Sequence, residues 1–425
     1  MTAARWNLRS KESRSNGLCP GRCGGFTLPL AIVILAVMGN IALVIFTMVK
    51  AERVESFRRY TKCQAGLNIE SGLDFAFARI QSASQPWRTE GLQYNSPDSS
   101  VSFSLSHVQN GVYSRLQVFS NDSAVSTVAR PGFRQPALPA LTFISSKATL
   151  AISRDASVKG GIAIAEGNVN YSTHYRMMAN KNSYYDTAYT DIKPAISDSL
   201  KFFPELSRNQ FDSLYKKDLC EFDAKDVLPQ ELSCRNVIVQ GDALCDKCSI
   251  RANKVRIRGN AIFKGADIRA ISISATGNAD VSGVLFARDS IFVDLDRTQE
   301  HPLRIALQGR KSGPAEYTGR MDIERISAKN ILLLFIGDNW EETLHGIPIR
   351  ISEKCDLTGL VVSIGSLDLR GHIRGSVITR NLVFEEDGTL WRNFLRETNI
   401  ERDSTIDILL PDILHLGGTA TYEKM

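Results

Sequence analysis

Between Val237 and Val293 the chain reads VIVQGDALCDKCSIRANKVRIRGNAIFKGADIRAISISATGNADVSGVLFARDSIFV, and this stretch repeats itself every 18 residues. Gly241, Gly259 and Gly277 fall 18 apart, as do Gly265 and Gly283. The same interval separates Val237, Val255, Ile273 and Ile291, and again Ile250, Ile268 and Phe286. A unit of this length, built from short strands, is too small to bury its own apolar side. Stacking successive units aligns those side chains into interior ladders, which is the signature of a parallel β-solenoid. The glycines then mark corners where the chain turns sharply with positive φ. The expected fold is mostly β: a long N-terminal helix followed by a right-handed parallel β-solenoid with inserted loops.

Working outward, the same phrase returns as VKGGIAI at Val158, LTGLVV at Leu357 and IRGSVI at Ile373. This extends the solenoid to residues 141–390. Two stretches break the pattern, 171–233 and 294–328, and are read as insertions, the first with a helix near 205–218. Long loops of this kind project from one face of a solenoid, where partners bind. Tyr171, Tyr175, Tyr184, Tyr185 and Tyr189 make the first insertion tyrosine-dense, suited to glycan or protein contact or to packing on its own wall. Residues 391–425 open with Trp391, Phe394 and Leu395 in a short helical pattern and are expected to cap the last coil. Upstream, residues 83–140 form a small β region and linker. Two alternating runs flank Asn110-Gly111 as a β-hairpin, and Pro131, Pro136 and Pro139 mark the linker. The solenoid is similar in texture to the bactofilins.

The N-terminus adds a different signal. From Phe26 to Val49 no residue is charged. As a helix these residues span about 36 Å, enough to cross a bilayer core. Residues 1–25 carry Arg5, Arg9, Lys11, Arg14 and Arg22 against Glu12, so +4 of the net +5 lies there. Such an imbalance predicts a cytoplasmic N-terminus and an exported C-terminal part. The remaining 400 residues hold only +1, which argues against nucleic acid as a partner.

The order basic leader, Gly24-Gly25, Phe26-Thr27-Leu28, long apolar helix resembles the prepilin signal of type IV pilins and type II secretion pseudopilins. The resemblance implies that a prepilin peptidase cuts between Gly25 and Phe26 and methylates the new N-terminus. The family's fifth mature residue is usually Glu, and here it is Leu30. Without that carboxylate a buried ion pair with a neighbouring subunit is lost, which disfavours assembly behind another subunit. Residues 50–82 continue at helical spacing through Ile69, Leu73, Ala76, Phe77 and Ile80, and Gln64–Ile80 is similar to the N-terminal helix of PilX-type minor pilins. Helix 26–82 is therefore expected to be both membrane anchor and scaffold.

Eight cysteines occur, of which Cys19 and Cys23 lie in the leader. Cys245-Asp-Lys-Cys248 stands outside any thioredoxin-like context and has no second CxxC. The expectation is structural disulfides among Cys220, Cys234, Cys245 and Cys248 in an oxidising compartment, their connectivity open. No metal or cofactor is expected, because no two of the six histidines share a ligand spacing and no phosphate-binding or nucleophile motif is present. Asp289, Asp294 and Asp296 could be read as the carboxylates of a polysaccharide-cleaving solenoid, or simply as solvated corners. The sequence thus points to a non-enzymatic minor pilin or pseudopilin in the inner membrane, partnered by the peptidase and other pilin subunits. The alternative is an exported carbohydrate-binding or carbohydrate-cleaving module using the helix as an anchor.

Overall fold

The computed structural model describes residues 27–82, 92–95, 101–110, 113–120, 126–134, 138–143, 150–153, 155–164, 169–171, 188–189, 215, 217–309, 319–335, 349–386, 389–406, 408–411 and 420–424. It is mostly β with one long helix. That helix, α1, runs Thr27–Ser82 without a break, as a run with no proline beyond its first turn permits. Two compact units divide the chain, Met1–Ala65 and Gly66–Met425.

In the second unit the last turns of α1 lie on an antiparallel sheet. Its strands are β1 (Leu92–Asn95), β2 (Ser102–Asn110), β3 (Tyr113–Ser120) and β4 (Ser126–Arg134), paired in that order. The β2–β3 pair is the hairpin expected at Asn110-Gly111. Two C-terminal strands, Leu409–Pro411 and Ala420–Lys424, complete the sheet against β4. Ile69, Leu73 and Ala76 share one helix face and meet Phe103, Leu105, Leu116, Val118 and Ala129 in a dry cluster. Tyr94 stacks on Phe103 at its edge, ring centroids 5.0 Å apart. Asn68, buried beside this seam, donates from Nδ2 to Ser120 Oγ at 3.3 Å. The side chains of Phe77 and Ile80 lie outside the described residues.

Gly72 shows how closely helix and sheet approach. A Cβ there would sit 2.7 Å from Val118 Cγ1, whereas one on Gly66 would meet nothing within 4 Å. Gly→Ala in an open helix position gains about 1 kcal/mol. Gly66→Ala is therefore expected to raise the thermal midpoint of the full chain and Gly72→Ala to lower it.

The rest of the unit is a solenoid-like parallel sheet in which the chain runs round three faces and each rung pairs with the next coil. On the first face the register runs Cys220, Val237, Val255, Ile273, Ile291, Met321, Ile349, Leu367. On the third it runs Leu232, Ile250, Ile268, Leu285, Ile305, Leu333, Val361, Val377, Leu141, Ile162, Ala188. The valine and isoleucine ladder read from the 18-residue interval is the start of the first register. Gly241, Gly259 and Gly277 occupy its corners at φ +66°, +75° and +82°.

One row differs from the sequence expectation. Ile268 pairs with Leu285, not with Phe286. A bulge between Phe263 and Ala266 absorbs one residue, and Ser282 closes it by donating to Phe263 O and accepting from Gly265 N–H, both at 3.0 Å. The slip puts Gly283 to Ala287 one place out of the 18-residue spacing and so onto the opposite faces. A second irregularity, between Ala270 and Ser272, restores the spacing before Ile273 and Ile291. Phe286 therefore points outward.

The second face has a gap that a side chain fills. Beside Val281 no full strand follows, and the fully buried Gln299 takes the place. Its Oε1 accepts from Val281 N–H at 2.6 Å, and its Nε2 donates to Ala279 O at 3.0 Å and Arg297 O at 2.7 Å.

Several expected boundaries shift. Leu219–Phe222 and Glu231–Ser233 are rungs, so the first insertion ends before them. Leu303–Leu307 is a rung inside the stretch 294–328, and the rung Arg320–Phe335 begins inside it. Residues 131–134 belong to β4 and not to a linker: Pro131 faces Tyr422 and has no β3 partner, so its missing N–H costs no bond to β3. Trp391, Phe394 and Leu395 lie in strands, Thr389–Arg392 and Phe394–Leu395. The segment read as a cap enters the stack, with Ile400 between Ile373 and Val158. Coils 141–189 thus stack beyond the last coils of the chain, not before the first. The helix expected near 205–218 falls almost wholly outside the described residues.

Candidate functional site

The chemistry that α1 offers is set by what its residues expose. Leu28, Leu30, Ile32, Val33, Ile34 and Leu35 begin a run of solvent-exposed apolar side chains that continues to Val49. So large an apolar surface is unstable in water and matches a hydrocarbon phase. This one helix is long and apolar enough to cross a membrane. Its hydroxyl at Thr47 donates to Val44 O at 2.8 Å, so it needs no outside partner. Beyond Lys50 the helix becomes charged, with Arg59 and Glu55 paired at 3.2 Å one turn apart. The platform under Ile69, Leu73 and Ala76 then fixes the helix to the sheet of the second unit.

Gly25 and Phe26 lie outside the described residues, and α1 begins immediately after them at Thr27. Of the tyrosines, Tyr171 ends the strand Val169–Tyr171 and Tyr189 ends Ala188–Tyr189. Tyr175, Tyr184 and Tyr185 lie outside the described residues.

The cysteines are placed in two pairs at one end of the stack. Cys220 and Cys234 form a disulfide with Cα atoms 6.2 Å apart, and Cys245 and Cys248 a second at 5.7 Å. Both lie in the first two coils, where a rung has fewer neighbours to hold it. Cys63 is free and exposed, while Cys355 is free and buried. Burial pushes the Cys355 thiol up to about 12, which keeps it in the unreactive thiol form. A thiol reagent near pH 8 is expected to label Cys63 alone on the folded chain lacking its leader. Denaturation should add Cys355, and reduction the four disulfide cysteines.

The aspartates that could have served hydrolysis are held by arginines. Asp289 is bidentate with Arg288 at 2.7 and 2.9 Å. Arg325 bonds Asp294 at 2.9 Å and also engages Asp296. His372 lies 3.6 Å from Asp356, which Arg374 also holds at 2.9 Å. Among the described residues no cluster of three His, Cys, Asp or Glu side chains could hold a metal ion.

The outward side of the third face is also apolar, and sequence reasoning missed it. Val284, Phe286, Ala306, Leu332, Leu334, Leu360, Val362 and Ile378 are all buried there. Tyr113 marks what lies against this face. It sits on the side of β3 opposite Leu116 and Val118, with Arg304 over its ring at 5.6 Å, and its hydroxyl donates to Leu409 O at 2.8 Å. Runs such as Ile331–Phe335, apolar at every position, were the available signal, because a strand covered on both sides does not alternate.

Comparison of the chain with protein-family models, curated proteins and solved structures gave no match.

Proposed function

We propose that this chain is a pilin-like structural subunit, a minor pilin or pseudopilin, that carries a right-handed parallel β-solenoid on a membrane-anchored helix. The observation that carries the reading is the continuity of α1. Its first half exposes apolar side chains from Leu28 to Val49, and residues 69–76 of the same helix pack on the antiparallel sheet of the second unit. One continuous helix thereby serves as anchor and as scaffold, which a disposable signal segment would not need to do.

In this reading the basic leader 1–25 stays in the cytoplasm and is removed between Gly25 and Phe26. The helix remains in the inner membrane, and the β part is exported. Oxidation of the cysteines fits that compartment. Leu30 lacks the carboxylate that would pair with a neighbouring subunit, so the chain stands at a filament tip or initiation complex. Its solenoid is displayed outward, to other subunits or to a surface ligand such as a glycan.

Deleting the gene segment for this chain from its native cell is expected to reduce filament number or secreted product several-fold. Restoring the full chain should restore both, and restoring one with Gly25 and Phe26 replaced should not. Unchanged filaments and unchanged secretion in the deletion strain would overturn the proposal.

A further inference from the structure

One rung of the parallel stack carries a row of cations with no counter-charge. Lys254, Arg256 and Arg258 alternate along it, while Val255 and Ile257 between them are buried. Alternate residues of a strand share a side, so the three make a straight row of about 13 Å on the outer side of the first face. Lys254 and Arg258 are exposed and Arg256 is half-buried. Their neighbours in register are neutral: Asn236 and Ile238 in the coil before, Ser272 and Ser274 in the coil after. Among the described residues no carboxylate pairs with any of the three.

Other cations of the stack are held by carboxylates. Arg320 pairs with Asp322, Arg325 with Asp294, Lys329 with Glu300 and Arg374 with Asp356. Such pairs neutralise the wall locally, whereas the row at 254–258 sets three like charges side by side, and these repel. An anion laid along the row removes that repulsion, so the row complements an extended polyanion. The rungs beside it narrow the chemistry. Ser272 and Ser274 offer hydroxyls, each both donor and acceptor. Two rungs from Arg256, in one column with Ser274, Phe292 lies exposed on the same wall. Hydroxyls next to an open aromatic ring match a sugar, which presents hydroxyl groups at its edge and an apolar C–H face.

We propose that the first-face wall around Lys254, Arg256 and Arg258 binds an acidic polysaccharide, with carboxylates of successive sugars on the row and a sugar ring against Phe292. Nucleic acid fits less well. Stacked bases need a series of exposed rings, and among the described residues the rungs beside the row offer Phe292 alone. The attraction is between exposed charges, so it weakens as salt rises. The proposal names a ligand for the displayed solenoid and rests on that reading for its setting.

The test is binding of the full chain, in non-ionic detergent, to polygalacturonate, with neutral dextran, poly-L-glutamate and oligo-dT as comparison polymers. Polygalacturonate is expected to bind more tightly than the other three and to be released by salt. Lys254→Gln, Arg256→Gln and Arg258→Gln together are expected to weaken it roughly tenfold, as the loss of three exposed charge contacts should. Arg320→Gln, Lys329→Gln and Arg374→Gln together remove the same charge from paired sites and should change it little, which also accounts for any binding by the basic leader. Lys254→Arg, Arg256→Lys and Arg258→Lys together should keep binding, and Phe292→Ala should weaken it without altering its salt dependence. No binding of polygalacturonate, equal binding of dextran, equal or tighter binding of poly-L-glutamate or oligo-dT, or equal losses in the two triple Gln variants would overturn the proposal. Each of those outcomes leaves cleavage after Gly25 untouched. A chain that binds polygalacturonate yet is never cleaved there would keep the site and remove the pilin-like reading.

Discussion

Gly375→Ala is expected to destabilise the chain by about 4 kcal/mol, combining a strained left-handed residue with an overpacked one. Gly375 has φ +141°, and a Cβ there would overlap the carbonyl oxygen of Gly359 in the coil below. Gly359 is in turn pressed against the carbonyl of Ile331, so three successive coils stack backbone on backbone. None of the three can move aside without breaking the parallel register. Gly259→Ala is the control: φ is +75° and the new Cβ would lie 3.1 Å from Gly241 N. A left-handed alanine costs about 1–2 kcal/mol, and the contact with Gly241 is much milder than the overlap at position 375. Denaturant unfolding of both variants in detergent should show the larger loss at position 375. Equal losses would mean that the close backbone stacking of these three coils is not what holds the register, and the column Ile331, Gly359, Gly375 would lose its role.

Leu73→Ala is expected to cost about 3 kcal/mol, the usual loss for a fully buried leucine in a site that cannot collapse. Leu73 is completely buried between helix and sheet. Because the parallel stack has its own separate core, the loss should appear locally. Limited proteolysis should cut within residues 66–82 much faster in the variant, while fragments from the stack stay intact. Leu67, on the open side of the helix at 56% exposure, is the comparison, and Leu67→Ala should behave like wild type. A Leu73→Ala chain as resistant as wild type would show that the helix is held by something other than the cluster at Phe103 and Val118.

The repeat was legible in the sequence where consecutive coils have the same length. Val237, Val255, Ile273 and Ile291 mark four such coils, and their register follows the spacing. Legibility fell once coils differed. The bulge between Phe263 and Ala266 takes up one extra residue in that coil, which is why Leu285 stands where Phe286 was expected. Gln299 replaces a strand by a side chain, and no periodicity announces that. The order of coils was not legible either, since the pairing of Val377 with Leu141 joins segments far apart in the chain. The same holds for the C-terminal strands on β4 and for the bond from Tyr113 to Leu409. The helix was legible throughout because its signals are local: an uncharged run, then apolar residues at helical spacing. Which face of residues 69–76 is buried followed from that spacing. That Gly72 sits where the sheet comes closest did not.

The measurement that tests the central claim most directly is the N-terminal peptide and intact mass of the chain taken from native membranes. A mature chain that begins at Phe26, methylated on its amine and lacking Cys19 and Cys23, is the result expected of a pilin-like subunit. A chain that keeps Gly24-Gly25 and the basic leader, in cells with an active prepilin peptidase, would contradict it.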